Sequence, residues 1–165
     1  MAMVGVVMGS DSDLPVLEDA IQVLQQFQIP FEVKISSAHR TLHATIQWVE
    51  NFEKSGGKIF IAAAGLAAHL PGVVAAATTL PVIGVPIKSG ALEGVDALYS
   101  IVQMPPGIPV ATVGINGARN AAILAVEMLS LADNNLRSAL QDFRQKMAKQ
   151  VEEKDRNLEQ RLKSQ

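Results

Sequence analysis

Two neighbouring side chains, His39 and Arg40, are the residues of this sequence best suited to chemistry. Arginine is always charged and binds phosphate or carboxylate through its planar fork, whereas histidine gains and loses a proton near neutral pH. Together they could hold an anionic substrate and transfer a proton to or from it. The alternative is structural: Arg40 would pair with a surface carboxylate, and His39 would cap the helix that follows.

His43 raises the question of a metal ion, because it follows His39 by four residues and would share one helix face with it. The segment HRTLH lacks the glutamate of the HExxH motif, however, and no third ligand is evident in the sequence. We therefore predict no metal site and expect His43 to be an exposed helix residue.

The loop Gly9-Ser10-Asp11-Ser12-Asp13 is the second candidate. It separates a short β-branched run from an amphipathic helix, and the free N–H groups and dipole at such a helix start attract phosphate. The loop has neither the Gly-Lys-Ser/Thr of a Walker motif nor a GxGxxG fingerprint. It therefore predicts a nucleotide-like ligand that is held by its phosphate without a standard nucleotide motif.

Within this loop, Ser10 and Ser12 can donate hydrogen bonds to a phosphate, whereas Asp11 would repel a phosphate and is expected to point away. Asp13 has two compatible interpretations, as the N-cap of the helix or as an acceptor for a ligand hydroxyl. A Ser–His–Asp nucleophilic site is not favoured, because the sequence has no G-x-S-x-G elbow.

His69 is the third candidate, in an Ala/Gly-rich run over residues 64–72 that is typical of the first turn of a helix. Gly65 and the alanines around it would let the backbone approach a ligand closely. The alternative is a helix packed tightly on a sheet, with His69 hydrogen-bonded to a backbone group.

The elements that must position these residues follow an alternating pattern. Apolar runs typical of strands cover residues 3–8, 31–36, 59–63, 82–85 and 110–115, and helical patterns cover residues 14–27, 42–54, 67–78, 94–102 and 118–131. Alternating strands and helices predict parallel pairing through right-handed crossovers, with helices on both faces of the sheet. We predict an α/β three-layer sandwich with a flavodoxin-like parallel sheet.

In such a sheet, ligands bind beyond the carboxyl ends of the strands. The unusual polar residues of the chain fall in the segments that follow the first four predicted strands, namely 9–13, 36–41, 64–72 and 86–90. This coincidence predicts one site at one edge of the sheet.

Composition limits the class of protein. With 165 residues, 48% hydrophobic and 18% charged, the chain should form a single domain with a proper core. A net charge of −2 argues against a nucleic-acid surface, and neither a membrane span nor a signal peptide is evident. The absence of cysteine excludes a thiol nucleophile, a disulfide scaffold and a Cys-ligated metal. We expect a cytoplasmic protein without membrane or nucleic-acid partners.

The C-terminal part differs in composition from the rest. Residues 134–165 carry 13 of the 30 charged residues, so the body over residues 1–133 is unusually apolar for a lone small domain, which favours oligomerisation. Apolar residues at steps near three and four predict one long helix from Asn134, a helical arm of the same domain that would pack along a neighbouring subunit. The alternative for its last turns is a solvated helix that only aids solubility.

Four motifs, taken together, carry a resemblance to a known family. GSDSD (9–13), SAHRT (37–41), AAHLPG (67–72) and SIVQMPPGIPV (100–110) occur in order within residues 4–131. The chain closely resembles the N5-carboxyaminoimidazole ribonucleotide mutases of purine (IMP) biosynthesis, the class I type of the mutase/carboxylase family. One departure is Leu66, which stands where that family usually has glycine.

The resemblance implies an isomerase that moves a carboxylate from the exocyclic nitrogen of an imidazole ribonucleotide to ring carbon four without metal, biotin or ATP. It also implies a homo-octamer with active sites shared between neighbours, in which the tail helix would serve assembly. The catalytic residue it implies is His39, and the substrate-binding positions are Ser10, Ser12, Asp13, Ser37, Ala38, Arg40, Gly65, His69 and Leu70.

Two alternatives to this function remain at this stage. The related carboxylases add free carbon dioxide to aminoimidazole ribonucleotide on the same fold. The other alternative is a non-enzymatic flavodoxin-like module that binds nucleotides; the Gly9-Ser10 pair argues against a receiver domain, which needs acidic residues there, and the scarcity of aromatic residues argues against flavin binding.

Overall fold

The computed structural model describes residues 1–163 and contains five strands and six α-helices within them. The strands are β1 (Val4–Met8), β2 (Phe31–Ile35), β3 (Ile59–Gly65), β4 (Val82–Ile87) and β5 (Ala111–Thr112). The helices are α1 (Leu14–Gln26), α2 (Leu42–Lys54), α3 (Leu70–Ala76), α4 (Val95–Val102), α5 (Ala118–Ser130) and α6 (Asn134–Lys163), and a short 3-10 turn (Asp11–Asp13) precedes α1.

All strand pairs are parallel, and the strand order is β2-β1-β3-β4-β5. This is the flavodoxin-like order, in which the chain changes direction across the sheet between β1 and β3. The predicted fold class is therefore confirmed. The topology also places the carboxyl ends of β1 to β4 side by side along one edge of the sheet.

The core lies on both faces of the sheet. Residues of α2, α3 and α4 pack on one face around alternate β3 positions such as Phe60 and Ala62, and all of these side chains are buried. The intervening positions Ile59, Ile61 and Ala63 point to the opposite face, because strand side chains alternate. The fully buried apolar residues of α1 and α5 cover that second face. These two apolar layers are the reason why the central strands are hydrophobic throughout.

Most predicted elements lie within two residues of the observed ones, but two differ by more. Helix α3 begins at Leu70 rather than at residue 67, with Pro71 in its first turn, where proline is tolerated because no backbone N–H is required. Strand β5 has two residues rather than the predicted six. The backbone carbonyls of Gly84 and Pro86 on β4 accept hydrogen bonds from the chain that follows β5. Pro86, however, has no N–H that could donate to that chain and continue the ladder.

The backbone contacts divide the chain into two compact units, Met1–Val126 and a second unit that begins at Glu127. In the second unit, the long C-terminal helix predicted from Asn134 is confirmed as far as Lys163, and the end of the predicted arm, residues 164–165, lies outside the described residues. The Asp133 carboxylate accepts hydrogen bonds from the backbone N–H groups of Asn135 and Leu136 and so caps this helix. None of the helices within residues 1–163 is long and apolar enough to cross a membrane.

Candidate active site

A cavity of about 480 Å³ opens at the carboxyl ends of the strands, a volume typical of small-molecule sites. The walls come from the loops that follow β1, β2, β3 and β4. The cavity brings together all ten positions that the sequence analysis selected. The lining residues are Gly9, Ser10, Ser12, Asp13, Ser37, Ala38, His39, Arg40, Ala64, Gly65, Leu66, Ala67, His69, Leu70 and Ser89.

The loop after β1 forms the first wall. The Ser10 hydroxyl oxygen accepts a hydrogen bond from the Ser12 backbone N–H at 3.3 Å and from the Ser12 hydroxyl at 2.9 Å, so it caps the 3-10 turn. Ser10 in turn donates to the Asp11 carboxylate at 3.1 Å. Asp11 is exposed and does not line the cavity. The two serine hydroxyls therefore form one small polar cluster on the cavity wall.

Asp13 occupies the N-cap position of α1 but makes no capping hydrogen bond with its side chain. Its carboxylate instead lies 3.5 Å from the Ser12 hydroxyl, whose one proton can go either to Asp13 or to the closer Ser10 oxygen. Burial raises the pKa of the Asp13 carboxyl above its ordinary value of 3.8, a larger effect than the lowering by hydrogen bonds from Ser10 and Ser12. A carboxylate that is buried without serving the helix is available to a ligand, which favours the ligand-binding interpretation of Asp13.

The loop after β2 forms the second wall, and hydroxyl groups hold it in place. The Ser36 and Thr45 hydroxyls are 2.7 Å apart in a buried contact between the end of β2 and helix α2. The Thr41 hydroxyl accepts from the Ser37 backbone N–H at 2.9 Å, and the Thr41 N–H donates to the Ser37 carbonyl at 2.8 Å. These bonds fix the backbone of residues 36–41, which carries His39 and Arg40.

Arg40 lies at the rim of the cavity and is exposed. Its Nε donates to the Ser37 hydroxyl at 3.4 Å, and it forms no ion pair with any carboxylate of the part of the chain that the structure describes. The surface ion pair considered as an alternative is therefore not found there. Most N–H donors of the Arg40 guanidinium therefore remain available to bind an anion.

His39 meets His69 across the cavity. The distance from His39 Nε2 to His69 Nδ1 is 2.5 Å, and the rings are nearly perpendicular, with centroids 4.7 Å apart. One nitrogen must donate and the other accept, so the tautomers of the two rings are coupled. His69 occupies the N-cap position of α3 without a side-chain capping bond. The side chain of His69 is thus paired with the His39 imidazole in the cavity, and not with a backbone group as the alternative expected.

The loops after β3 and β4 form the third wall, and their backbones are closely packed. Leu66 has φ +53°, in the left-handed region that favours glycine, and more than half of its surface is exposed. A Cβ placed on Gly90 would lie 2.7 Å from Leu66 Cδ2, so the leucine side chain rests on that glycine. A Cβ on Gly65 would lie 2.5 Å from the Ser89 hydroxyl oxygen. Glycine at both positions is what permits these contacts.

His43 is exposed on α2, as predicted, and does not line the cavity. Within residues 1–163, no three His, Asp or Glu side chains are grouped closely enough to hold a metal ion.

Comparison with known proteins decides the family. The profile of the AIR carboxylase family matches residues 3–150, which is most of the chain. The chain belongs to the AIR carboxylase family. It is similar to the N5-carboxyaminoimidazole ribonucleotide mutase of Pyrococcus abyssi, with 56% identity over 89% of this chain and 84% of that protein.

Two further relatives show the breadth of the AIR carboxylase family. The chain is 54% identical to the phosphoribosylaminoimidazole carboxylase of Saccharomyces cerevisiae, over 95% of this chain but only 28% of that longer protein. The crystal structure of Treponema denticola PurE superposes with a TM-score of 0.88 at 30% identity, over 96% of this chain and 99% of that one. The family and its fold therefore agree with the resemblance carried by the four motifs.

Five lining residues fall within the segments that the sequence analysis placed at the site but were given no binding role there: Gly9, Ala64, Leu66, Ala67 and Ser89. Four of them are small or apolar, and only Ser89 adds a polar side chain. The sequence analysis placed the segment 86–90, which contains Ser89, at this edge because it follows β4, but it gave no reason to select the Ser89 hydroxyl.

Proposed function

We propose that this protein is an N5-carboxyaminoimidazole ribonucleotide mutase, an isomerase of purine biosynthesis. It moves a carboxylate from the exocyclic nitrogen of 5-carboxyamino-1-(5-phosphoribosyl)imidazole to ring carbon four. The similarity to the Pyrococcus abyssi mutase over most of both chains supports this reaction. The observation that carries the proposal is the cavity itself, in which a phosphate-binding loop and an acid–base histidine lie within reach of one small molecule.

The first and second walls hold the ribose phosphate in this proposal. The hydroxyls of Ser10 and Ser12 donate to the phosphate, and the unpaired Arg40 guanidinium supplies positive charge. Asp13 accepts hydrogen bonds from the ribose hydroxyls. Ser37 and Ala38 position the second wall, and Leu70 closes the apolar floor at the start of α3.

His39 is the acid–base catalyst. As the bond from nitrogen to carboxyl carbon breaks and carbon dioxide forms, the nitrogen takes a proton from the His39 imidazolium. Ring carbon four then attacks the retained carbon dioxide, and the proton on that carbon passes to His39, which restores the aromatic ring. One proton thus moves from carbon to nitrogen through a single group that can act in both directions near pH 7. Gly65 and His69 form the side of the cavity where this exchange occurs.

The carboxylase reaction on free carbon dioxide is the second candidate function. The similarity to the Saccharomyces cerevisiae carboxylase favours it, because the two chains share 54% identity over the matching part. The two reactions give the same product and differ only in the source of the carboxyl group.

A substrate assay separates the two functions. Purified protein is given either the carboxyamino ribonucleotide, or aminoimidazole ribonucleotide with an equal concentration of bicarbonate, and formation of the 4-carboxylate is followed. Rapid conversion of the first substrate and slow conversion of the second are expected. Faster conversion of the second pair would establish the carboxylase, and no conversion of either would favour the non-enzymatic binding module.

We also propose that the protein is a cytoplasmic homo-octamer in which neighbouring subunits complete each site. Support for assembly comes from the apolar residues exposed on the first unit, among them Val33 and Ile35 on the edge strand and Tyr99 and Val102 on α4. A cytoplasmic location follows from the proposed substrate, because a phosphorylated ribonucleotide is charged and does not cross membranes unaided.

A further inference from the structure

Ser89 carries a polar atom whose position nothing in the fold accounts for. Its hydroxyl oxygen is buried and has no hydrogen-bond partner among residues 1–163. Buried polar groups are almost always paired, because leaving one unpaired forfeits its hydration. The neighbouring loop residue Lys88, by contrast, has partners: its backbone N–H donates to the Asn116 side chain at 2.8 Å, and its exposed ammonium pairs with Glu93. An orphaned hydroxyl beside it indicates a partner that comes from outside the chain.

The space around this hydroxyl is kept open by a missing side chain. A Cβ on Gly65 would lie only 2.5 Å from the Ser89 oxygen, so any larger residue there would displace the hydroxyl. Gly65 has ordinary φ and is not required by the backbone conformation. The glycine at the end of β3 therefore serves the Ser89 hydroxyl rather than the turn.

Both residues line the cavity. In the sheet, β3 lies between β1 and β4, so the segment carrying Ser89 is two strand spacings, about 10 Å, from the end of β1. The His39–His69 pair joins the loops that follow β2 and β3. A ribonucleotide whose phosphate lies on the loop after β1 would therefore direct its reacting end toward Ser89.

We propose that Ser89 is a substrate-binding residue whose hydroxyl donates a hydrogen bond to the migrating carboxylate. This assignment rests on the proposed mutase function. The serine side chain has a single rotatable bond, so the hydroxyl turns from its buried position beside Gly65 into the cavity when a carboxylate is present. No covalent step is involved: the hydroxyl holds the carboxyl oxygens while the bond to nitrogen breaks and the bond to carbon forms.

The test compares two ligands that differ only in this carboxylate. Equilibrium dissociation constants of full-length protein are measured for aminoimidazole ribonucleotide and for its 4-carboxylate. In Ser89→Ala, binding of the 4-carboxylate should weaken by about tenfold to a hundredfold, the range for a hydrogen bond to a charged group, while binding of aminoimidazole ribonucleotide stays unchanged.

The matched control is Ser55→Ala, which removes a hydroxyl at the opposite end of α2 and should alter neither constant. Unchanged binding of both ligands by Ser89→Ala would overturn the assignment, and so would an equal loss of both, which indicates a structural role. The wild-type protein is first assayed for conversion of the carboxyamino ribonucleotide. If it converts the substrate, a failure in the binding comparison concerns Ser89 alone; if it neither converts nor binds the ribonucleotides, the proposed function fails with it.

Discussion

Asp13 carries a charge that is unfavourable to folding and that we propose serves a ligand. Its carboxyl is buried, it makes no capping bond to α1, and the exposed Asp11 carboxylate adds repulsion. Burial is the dominant effect and raises the pKa of Asp13 above the ordinary 3.8. The folded protein thus binds this proton more tightly than the unfolded chain does. The contribution of Asp13 to the free energy of unfolding is fully present below pH 3.8. It is lost as the pH rises through the raised pKa of the folded protein.

We therefore predict that Asp13→Asn raises the free energy of unfolding at pH 7, because the asparagine side chain need not ionise in the buried position. The gain should shrink toward zero as the pH falls below 3.8, where the aspartate is protonated in both states. Denaturant unfolding at several pH values measures the difference. The control Asp19→Asn, on the exposed side of α1, should change stability by less than about 0.5 kcal/mol. A less stable Asp13→Asn protein at pH 7 would contradict the account.

The sequence marks Leu66 as unusual but does not determine its backbone conformation. The motif comparison marks it as a leucine in place of the usual glycine, and its φ of +53° places it in the region that glycine prefers. Holding leucine there costs about 1–2 kcal/mol relative to an ordinary backbone conformation. Its side chain rests on Gly90, so the two loops of the third wall are packed together at this point.

At the scale of elements, alternation of strands and helices was sufficient to predict the fold, because apolar periodicity reports which face of each element is buried. The predicted boundaries of α3 and β5 are wrong because local chemistry overrides this periodicity there. Pro86 ends the ladder with β5 although the sequence remains apolar beyond it, and Pro71 fixes the start of α3 inside a run of small residues. The effect of Pro86 on β5 cannot be seen from the β5 segment alone, because it depends on which residue lies beside that segment in the sheet.

Helix α6 is the element that we propose to act in assembly. Leu136 and Leu140 near its start are buried, whereas Leu158 and Leu162 near its end are 54% and 63% exposed. Exposed leucines on a helix of otherwise negative mean hydropathy fit the arm that we propose to pack along a neighbouring subunit.

We predict that the wild-type protein sediments with eight times the 17.6 kDa mass of one chain. Replacing Leu158 and Leu162 together by Asp should lower that mass without unfolding the subunit, because both side chains are exposed within it. The control is Asn157→Asp, which adds a charge on the same helix and should leave the mass unchanged. A monomeric wild type would refute the octamer, and an unaltered mass for the double variant would exclude the arm from assembly.

At the scale of the whole molecule, the parallel topology is what turns separate loops into one site. The sequence predicted the four loops and their common edge, because strand ends in this fold meet there. It could not predict that His39 would meet His69, since 30 residues and an entire crossover separate them. It placed Ser89 in one of these loops but could not single it out, because the role that we propose for Ser89 depends on a buried hydroxyl without a partner among the described residues and on the space that Gly65 leaves open. Contacts of this kind arise only when the chain is folded.

In the proposed function, His39 transfers the proton in a cavity whose other residues bind the substrate. The most direct test is His39→Asn, which keeps a polar side chain of similar size on a loop held by other residues. Turnover of the carboxyamino ribonucleotide should fall by about a hundredfold to ten-thousandfold, while the dissociation constant of aminoimidazole ribonucleotide stays near that of the wild type. Near-normal turnover by the purified, folded variant would contradict the account.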